Sequence, residues 1–185
     1  MSDTVRAAVY GFPLLDVADV PGGAMQVSPL VAGSTDLAEL PEGALDAIVV
    51  QAPAGAAERR YVLALALRAL KTEGRLTALA LKDRGGQRLN KELTAFGCTI
   101  GESAKRHQRI CVTLKPANVT GLEAAIAEGA PRRLDGDGLW TQPGGAQGGH
   151  GQSAQQARFA SRFASQVQRP APNRSISDEK VVQEA

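Results

Sequence analysis

Apolar positions along this chain fall into short blocks whose period shifts from one block to the next, as strands alternating with helices require. Residues 5–10 form a brief apolar run closed by Gly11-Phe12-Pro13, where proline removes a ladder donor and glycine admits unusual dihedrals, so a first strand is predicted there. Pro21-Gly22-Gly23, Pro29, Gly33 and Pro41 then interrupt the text, leaving room for a short strand at 25–27 and a brief helix near 35–40. Asp46-Ala47-Ile48-Val49-Val50 is a continuous apolar run suited to a strand covered on both faces, and Gln51-Ala52-Pro53-Ala54-Gly55 is the turn after it. Residues 56–71 predict a helix that is apolar almost all round, with Tyr61, Val62, Leu63, Leu65, Leu67 and Leu70. Such a helix must be packed on more than one side. Glu73-Gly74 stops it, glycine suiting a left-handed cap.

Residues 75–81 predict the next strand, with Lys82-Asp83-Arg84-Gly85-Gly86 as the loop at its C-terminal end. Leu89, Leu93 and Phe96 then recur at i, i+4 and i+7, predicting an amphipathic helix over 87–96 that Gly97 closes. Residues 98–103 and 109–114 read as an antiparallel pair joined by the basic turn 104–108, and residues 119–128 as one more short helix. From Gly145 onward the chain is rich in Gly, Gln, Ser and Ala and has too few large apolar residues for a core, so 145–185 is expected to be disordered. Within it Arg158-Phe159-Ala160-Ser161 repeats at once as Arg162-Phe163-Ala164-Ser165, which would align both phenylalanines on one helical face. That face would suit a membrane surface or RNA; on composition, a fraying helix is the commoner outcome.

Composition adds three constraints. Only 4% of the residues are aromatic against 43% hydrophobic, so the interior should be aliphatic. The formal charge of +2 does not by itself mark a nucleic-acid binder, yet between Leu81 and Lys115 eight basic residues face three acidic ones. Cys98 and Cys111 have neither metal-ligand spacing nor the density of a disulfide scaffold, so buried reduced thiols are expected. No signal-like start and no apolar run of the ~18–20 residues that a membrane span needs is present, which makes the cytoplasm the default expectation.

The order of units from Asp46 to Leu114 is similar to the fourth and fifth strand units and the closing antiparallel pair of class I S-adenosylmethionine-dependent methyltransferases. Over residues 40–144 the chain more narrowly resembles the N-terminal domain of the two-domain bacterial small-subunit rRNA guanine-N2 methyltransferases. In that family a degenerate methyltransferase-like domain precedes the active one, and a Pro-Gly turn marks the joint. Leu139-Trp140-Thr141-Gln142-Pro143-Gly144 stands at the corresponding place. The resemblance implies an α/β, Rossmann-like, methyltransferase-type sheet over 1–144, mostly parallel with a C-terminal antiparallel hairpin, followed by the tail 145–185. It also implies ribosomal RNA and a catalytic methyltransferase domain as partners. S-adenosylmethionine would belong to that missing domain, with no cofactor, metal or membrane for this chain. The family continues with a glycine-rich cofactor loop and an Asn-Pro-Pro-Tyr-like motif, whereas Gly145-Ala146-Gln147-Gly148-Gly149-His150 and low complexity follow here. A truncated or frame-altered chain without its catalytic half is therefore expected.

The residues themselves agree with an inactive unit. A methyl-donor site needs a glycine-rich turn after the first strand, and Tyr10-Gly11-Phe12-Pro13 offers one glycine and a proline. Gln51-Ala52-Pro53 occupies the place of the family's substrate motif, but without an aromatic residue to stack on a base. It reads as a relic at most, and an ordinary strand-to-helix turn is the simpler account. His107 and His150 are not placed as ligands or bases, and Asp135 and Asp137 lack the distal glutamate of a calcium loop. What remains is basic: Lys82, Arg84 and Arg88 near one strand end, and Lys105, Arg106 and Arg109 around the hairpin turn, are the candidate RNA contacts, with a merely solvated charged surface as the rival. Three readings result: a non-catalytic domain supporting RNA binding or a catalytic partner, a small methyltransferase with a diverged loop using Gly11 and Gln51-Ala52-Pro53, and a protein-interaction module acting through the repeat at 158–165.

Overall fold

A computed structural model of the chain describes residues 6–29, 31–133 and 140–141. Its body is a six-stranded sheet built from β1 (Ala7–Tyr10), β2 (Met25–Gln26), β3 (Leu45–Gln51), β4 (Leu70–Leu81), β5 (Gly101–Lys105) and β6 (Gln108–Leu114), in the order β2-β1-β3-β4-β6-β5. The first four strands are parallel, and β6 inserts antiparallel between β4 and β5. A parallel sheet with α1 (Ala56–Ala69) joining β3 to β4, closed by a hairpin whose second strand pairs inward, makes a methyltransferase-type Rossmann-like sheet, as the resemblance implies.

Period-two alternation divides the core between two faces. Ala8, Tyr10, Ile48, Val50, Leu76, Ala78 and Cys111 point to one face, where α1 (Ala56–Ala69) and α2 (Gln87–Ala95) cover them. Val9, Val49, Leu79 and Ile110 point to the other, covered by Val17 and Ala18 from the β1–β2 connection instead of a helix. On α1, Val62 through Leu67 are all buried, because the sheet lies beneath the helix and α3 (Leu122–Gly129) lies across it. The prediction of a helix packed on more than one side is met. On α2, Leu89 and Leu93 point inward, with Phe96 just past its end.

Several boundaries depart from the sequence reading. The helix expected to reach residue 71 ends at Ala69, and β4 begins at once with Leu70. Buried Lys115 caps this end: its Nζ donates to Leu70 O at 2.7 Å and to Arg68 O at 3.5 Å, satisfying carbonyls that the helix leaves open. Glu73 rather than Gly74 takes the left-handed conformation, with φ 63°. Gly74 is required for a different reason, since a Cβ there would meet Lys71 O at 2.8 Å. β5 starts at Gly101 instead of residue 98 and runs on to Lys105, and β6 begins at Gln108, so the turn shrinks to Arg106 and His107, both at positive φ (48° and 62°) as a type I′ hairpin requires. The last helix begins at Leu122 instead of residue 119, after Gly121 at φ 72°. β7 (Arg132–Arg133) and β8 (Trp140–Thr141) form a separate antiparallel pair. The expected disordered tail 145–185, its phenylalanine repeat and most of 134–144 lie outside the described residues.

Candidate functional site

In doubly wound sheets ligands bind at the carboxyl ends of the strands, where successive connections diverge. Here that point lies between β1 and β3, because the chain steps outward from β1 to β2 and then returns past β1 to β3. Half-buried Gln26 and Gln51 stand there against Gly11. A Cβ on Gly11, itself at φ 75°, would lie 3.0 Å from Cβ of Gln51. Gln26, at the end of β2, turns its side chain back, donating from Nε2 to Gly11 O at 3.0 Å while its Oε1 accepts from Ser28 N at 3.0 Å. A methyl-donor site of this fold places a flexible glycine-rich backbone and an acidic side chain at these positions. The residues present do not fit S-adenosylmethionine.

The turn after β3 is equally committed. Arg59, only 1% exposed, donates to Ala54 O at 2.8 Å and Pro53 O at 3.3 Å from Nη1. Its Nε and Nη2 each lie 2.7 Å from a carboxylate oxygen of Glu92 on α2. Gly85, at φ 93°, lies flat against the same guanidinium, where a Cβ would fall 2.1 Å from Nη1. One buried arginine thus joins the β3 turn, the β4 turn and α2. Half-buried Gln51 and Pro53, with buried Ala52 between them, stand on this braced turn, whose Pro53 carbonyl faces Arg59.

Beneath the edge, Glu58 in the first turn of α1 is raised above the usual carboxylate range by burial. The buried Tyr10 phenol is raised as well, first by burial and then by Glu58, Asp36 and Tyr61. A raised carboxyl loses its proton later in the folded chain than in the unfolded one, so between the ordinary carboxylate pKa and the raised value stability falls as pH rises. Glu58→Gln is expected to melt higher than the parent at neutral pH, with the difference vanishing once the solution is acid enough to protonate both states. A variant that melts at the same temperature at neutral pH would show that the carboxylate is fully hydrated.

The six predicted RNA contacts separate. Lys82, Arg84 and Arg88 are exposed at the β4 end with no ion pair among the described residues. The hairpin cations are engaged: Arg106 pairs with the Asp16 carboxylate at 2.7 Å, Lys105 Nζ donates to the Asp16 backbone carbonyl, and Arg109 pairs with Glu102. The two clusters still share one edge, for Lys82 N donates to His107 O at 3.0 Å. Sequence reasoning missed Arg59 and Arg60, and counted Lys91 among the basic residues of 81–115 without naming it a candidate contact. The tandem Arg59-Arg60 in an otherwise apolar helix was the available signal for the first two. Lys91, three residues after Arg88, was the signal for the outward stripe of α2.

Cys98 and Cys111 are both free and buried, as expected, and burial pushes the Cys111 thiol up to about 11. Among the described residues no cluster of three or more His, Cys, Asp or Glu is placed to hold a metal, and no helix is long and apolar enough to cross a membrane.

No protein-family model matches the chain, and no curated protein matches it either. Among solved structures it is similar to a T. thermophilus 16S rRNA N2 G1207 methyltransferase (RsmC) in complex with AdoMet and guanosine, at 16% identity and a TM-score of 0.49, covering 90% of this chain and 51% of that one. The chain thus spans about half the length of that enzyme. It is also similar to a chain of a complex containing the Haloferax volcanii Trm112 methyltransferase activator, at 10% identity and a TM-score of 0.46, covering 63% of this chain and 84% of that one.

Proposed function

We propose that this chain is a non-catalytic, methyltransferase-like domain that holds RNA, of the kind that precedes the catalytic domain in rRNA guanine-N2 methyltransferases. One observation carries the reading: where this fold takes its methyl donor, half-buried Gln51 lies against Gly11 and Gln26 is bonded to the Gly11 carbonyl, while the same edge presents Lys82, Arg84 and Arg88 without an ion pair among the described residues. Long cations on loops neutralise phosphates without reading bases, which suits a domain that positions a structured substrate for another. Sequence resemblance over residues 40–144 supports the same assignment.

Calorimetric titration with S-adenosylmethionine should show no saturable heat, whereas structured RNA should bind with an affinity that falls steeply with salt. Lys82→Gln with Arg84→Gln should weaken that binding several-fold. Saturable micromolar binding of the methyl donor, or methyl transfer to RNA by this chain alone, would overturn the reading.

A further inference from the structure

The outward side of α2 carries Arg88 and Lys91, with Ala95 one turn further along, and across from them α1 presents Arg60. These residues and Glu92 line an open groove of about 510 Å³ between the two helices. Its acids do not neutralise it. Glu92 is held by two donors of buried Arg59 and adds no free negative charge. Glu128 pairs with Arg60 at 2.9 Å, but these side chains are 54% and 42% exposed, and such a pair contributes little and exchanges readily for another anion. Arg88 and Lys91 have no acidic partner among the described residues. Lys82 and Arg84, in the turn leading into α2, continue the same sign of charge to the sheet edge.

We propose that the groove between α1 and α2 carries the phosphodiester backbone of an RNA strand away from the sheet edge, with Arg60, Arg88 and Lys91 as its phosphate contacts. This rests on the RNA-holding reading above and adds a path to it. Arg88 and Lys91, at i and i+3, lie on one helical stripe about 5–6 Å apart at Cβ, so both can reach a single strand. A lone small anion would need only one of them. Arg60 would exchange its Glu128 partner for a phosphate, which leaves the fold unaltered because that pair is solvated.

The test uses the full chain and a short single-stranded RNA of mixed sequence, titrated at several salt concentrations. Two variants are compared with the parent: a groove variant, Arg60→Gln with Arg88→Gln and Lys91→Gln, and an edge variant, Lys82→Gln with Arg84→Gln. Thermal melts establish that both remain folded, and Arg88→Gln with Lys91→Gln serves if the groove variant does not. The groove variant should lose at least tenfold in affinity, and its slope of log K against log salt should fall by about 2, as three lost contacts at ~0.7 each require. An unchanged slope in the groove variant together with a reduced one in the edge variant would overturn the groove path and leave the RNA reading standing. No salt-dependent binding by the parent would remove both. Tighter binding of polyglutamate than of RNA, lost in the groove variant, would replace RNA with an acidic protein partner.

Discussion

Glu92→Ala is expected to cost about 3–5 kcal/mol of folding stability, far more than the truncation of a surface glutamate ordinarily does, for its side chain is only 12% exposed. Glu92 itself loses little by being shortened. The cost falls on Arg59, which is buried, cannot shed its proton, and would keep only the carbonyls of Pro53 and Ala54. Urea denaturation would measure the loss, and the double variant Arg59→Met with Glu92→Leu should recover most of it, since an apolar replacement leaves no stranded charge. A loss below about 1 kcal/mol, the size typical of an exposed pair, would mean that water reaches the guanidinium and that the brace between the two turns is weak. The result bears on function because the brace holds the β3 turn that borders the crevice. A destabilised Glu92→Ala chain that gained affinity for S-adenosylmethionine would show the crevice to be closed by packing and not by lack of recognition groups.

Gly129→Ala should cost about 1–3 kcal/mol although alanine is the better helix former, because α3 crosses α1 with no room for a methyl group. A Cβ at residue 129 would meet Tyr61 Cβ at 2.4 Å and Ala57 O at 2.8 Å. Neither atom can rotate aside, one being the root of its side chain and the other backbone. The crossing must open, drawing Ala125 out of the core and loosening the Arg60–Glu128 pair beside it. Tm is the readout. A rise, as propensity alone would give, would mean that α3 does not seat this closely on α1.

Both effects arise where the sequence was least legible. Gly129 is a helix-terminal glycine on paper and reads as a stop signal; its close contact with Tyr61 exists only once α3 has folded back over a helix more than sixty residues earlier. Arg59 reads as one of two cations in an apolar helix, and nothing local says that one faces inward while Arg60 faces out. The hairpin cations show the same limit. Arg106 meets Asp16 from the β1–β2 connection, and Lys105 meets its carbonyl, pairings that no spacing along the chain could reveal.

The succession of strands and helices along the chain, the two-sided burial of α1, the amphipathic seating of α2 and the closing hairpin were legible in the text, because each is written in a local period of apolar residues that folding must bury; the arrangement of the strands in one sheet came only through the family resemblance. The absence of a glycine-rich cofactor turn was legible for the same reason: backbone freedom after Tyr10 is a property of the residues themselves. Which side chains stand against Gly11, which cations remain free among the described residues and where a groove opens between helices were decided by tertiary structure alone. Those outcomes depend on distances between segments far apart in the chain, and a charge is satisfied or left exposed by whichever neighbour packing brings within reach.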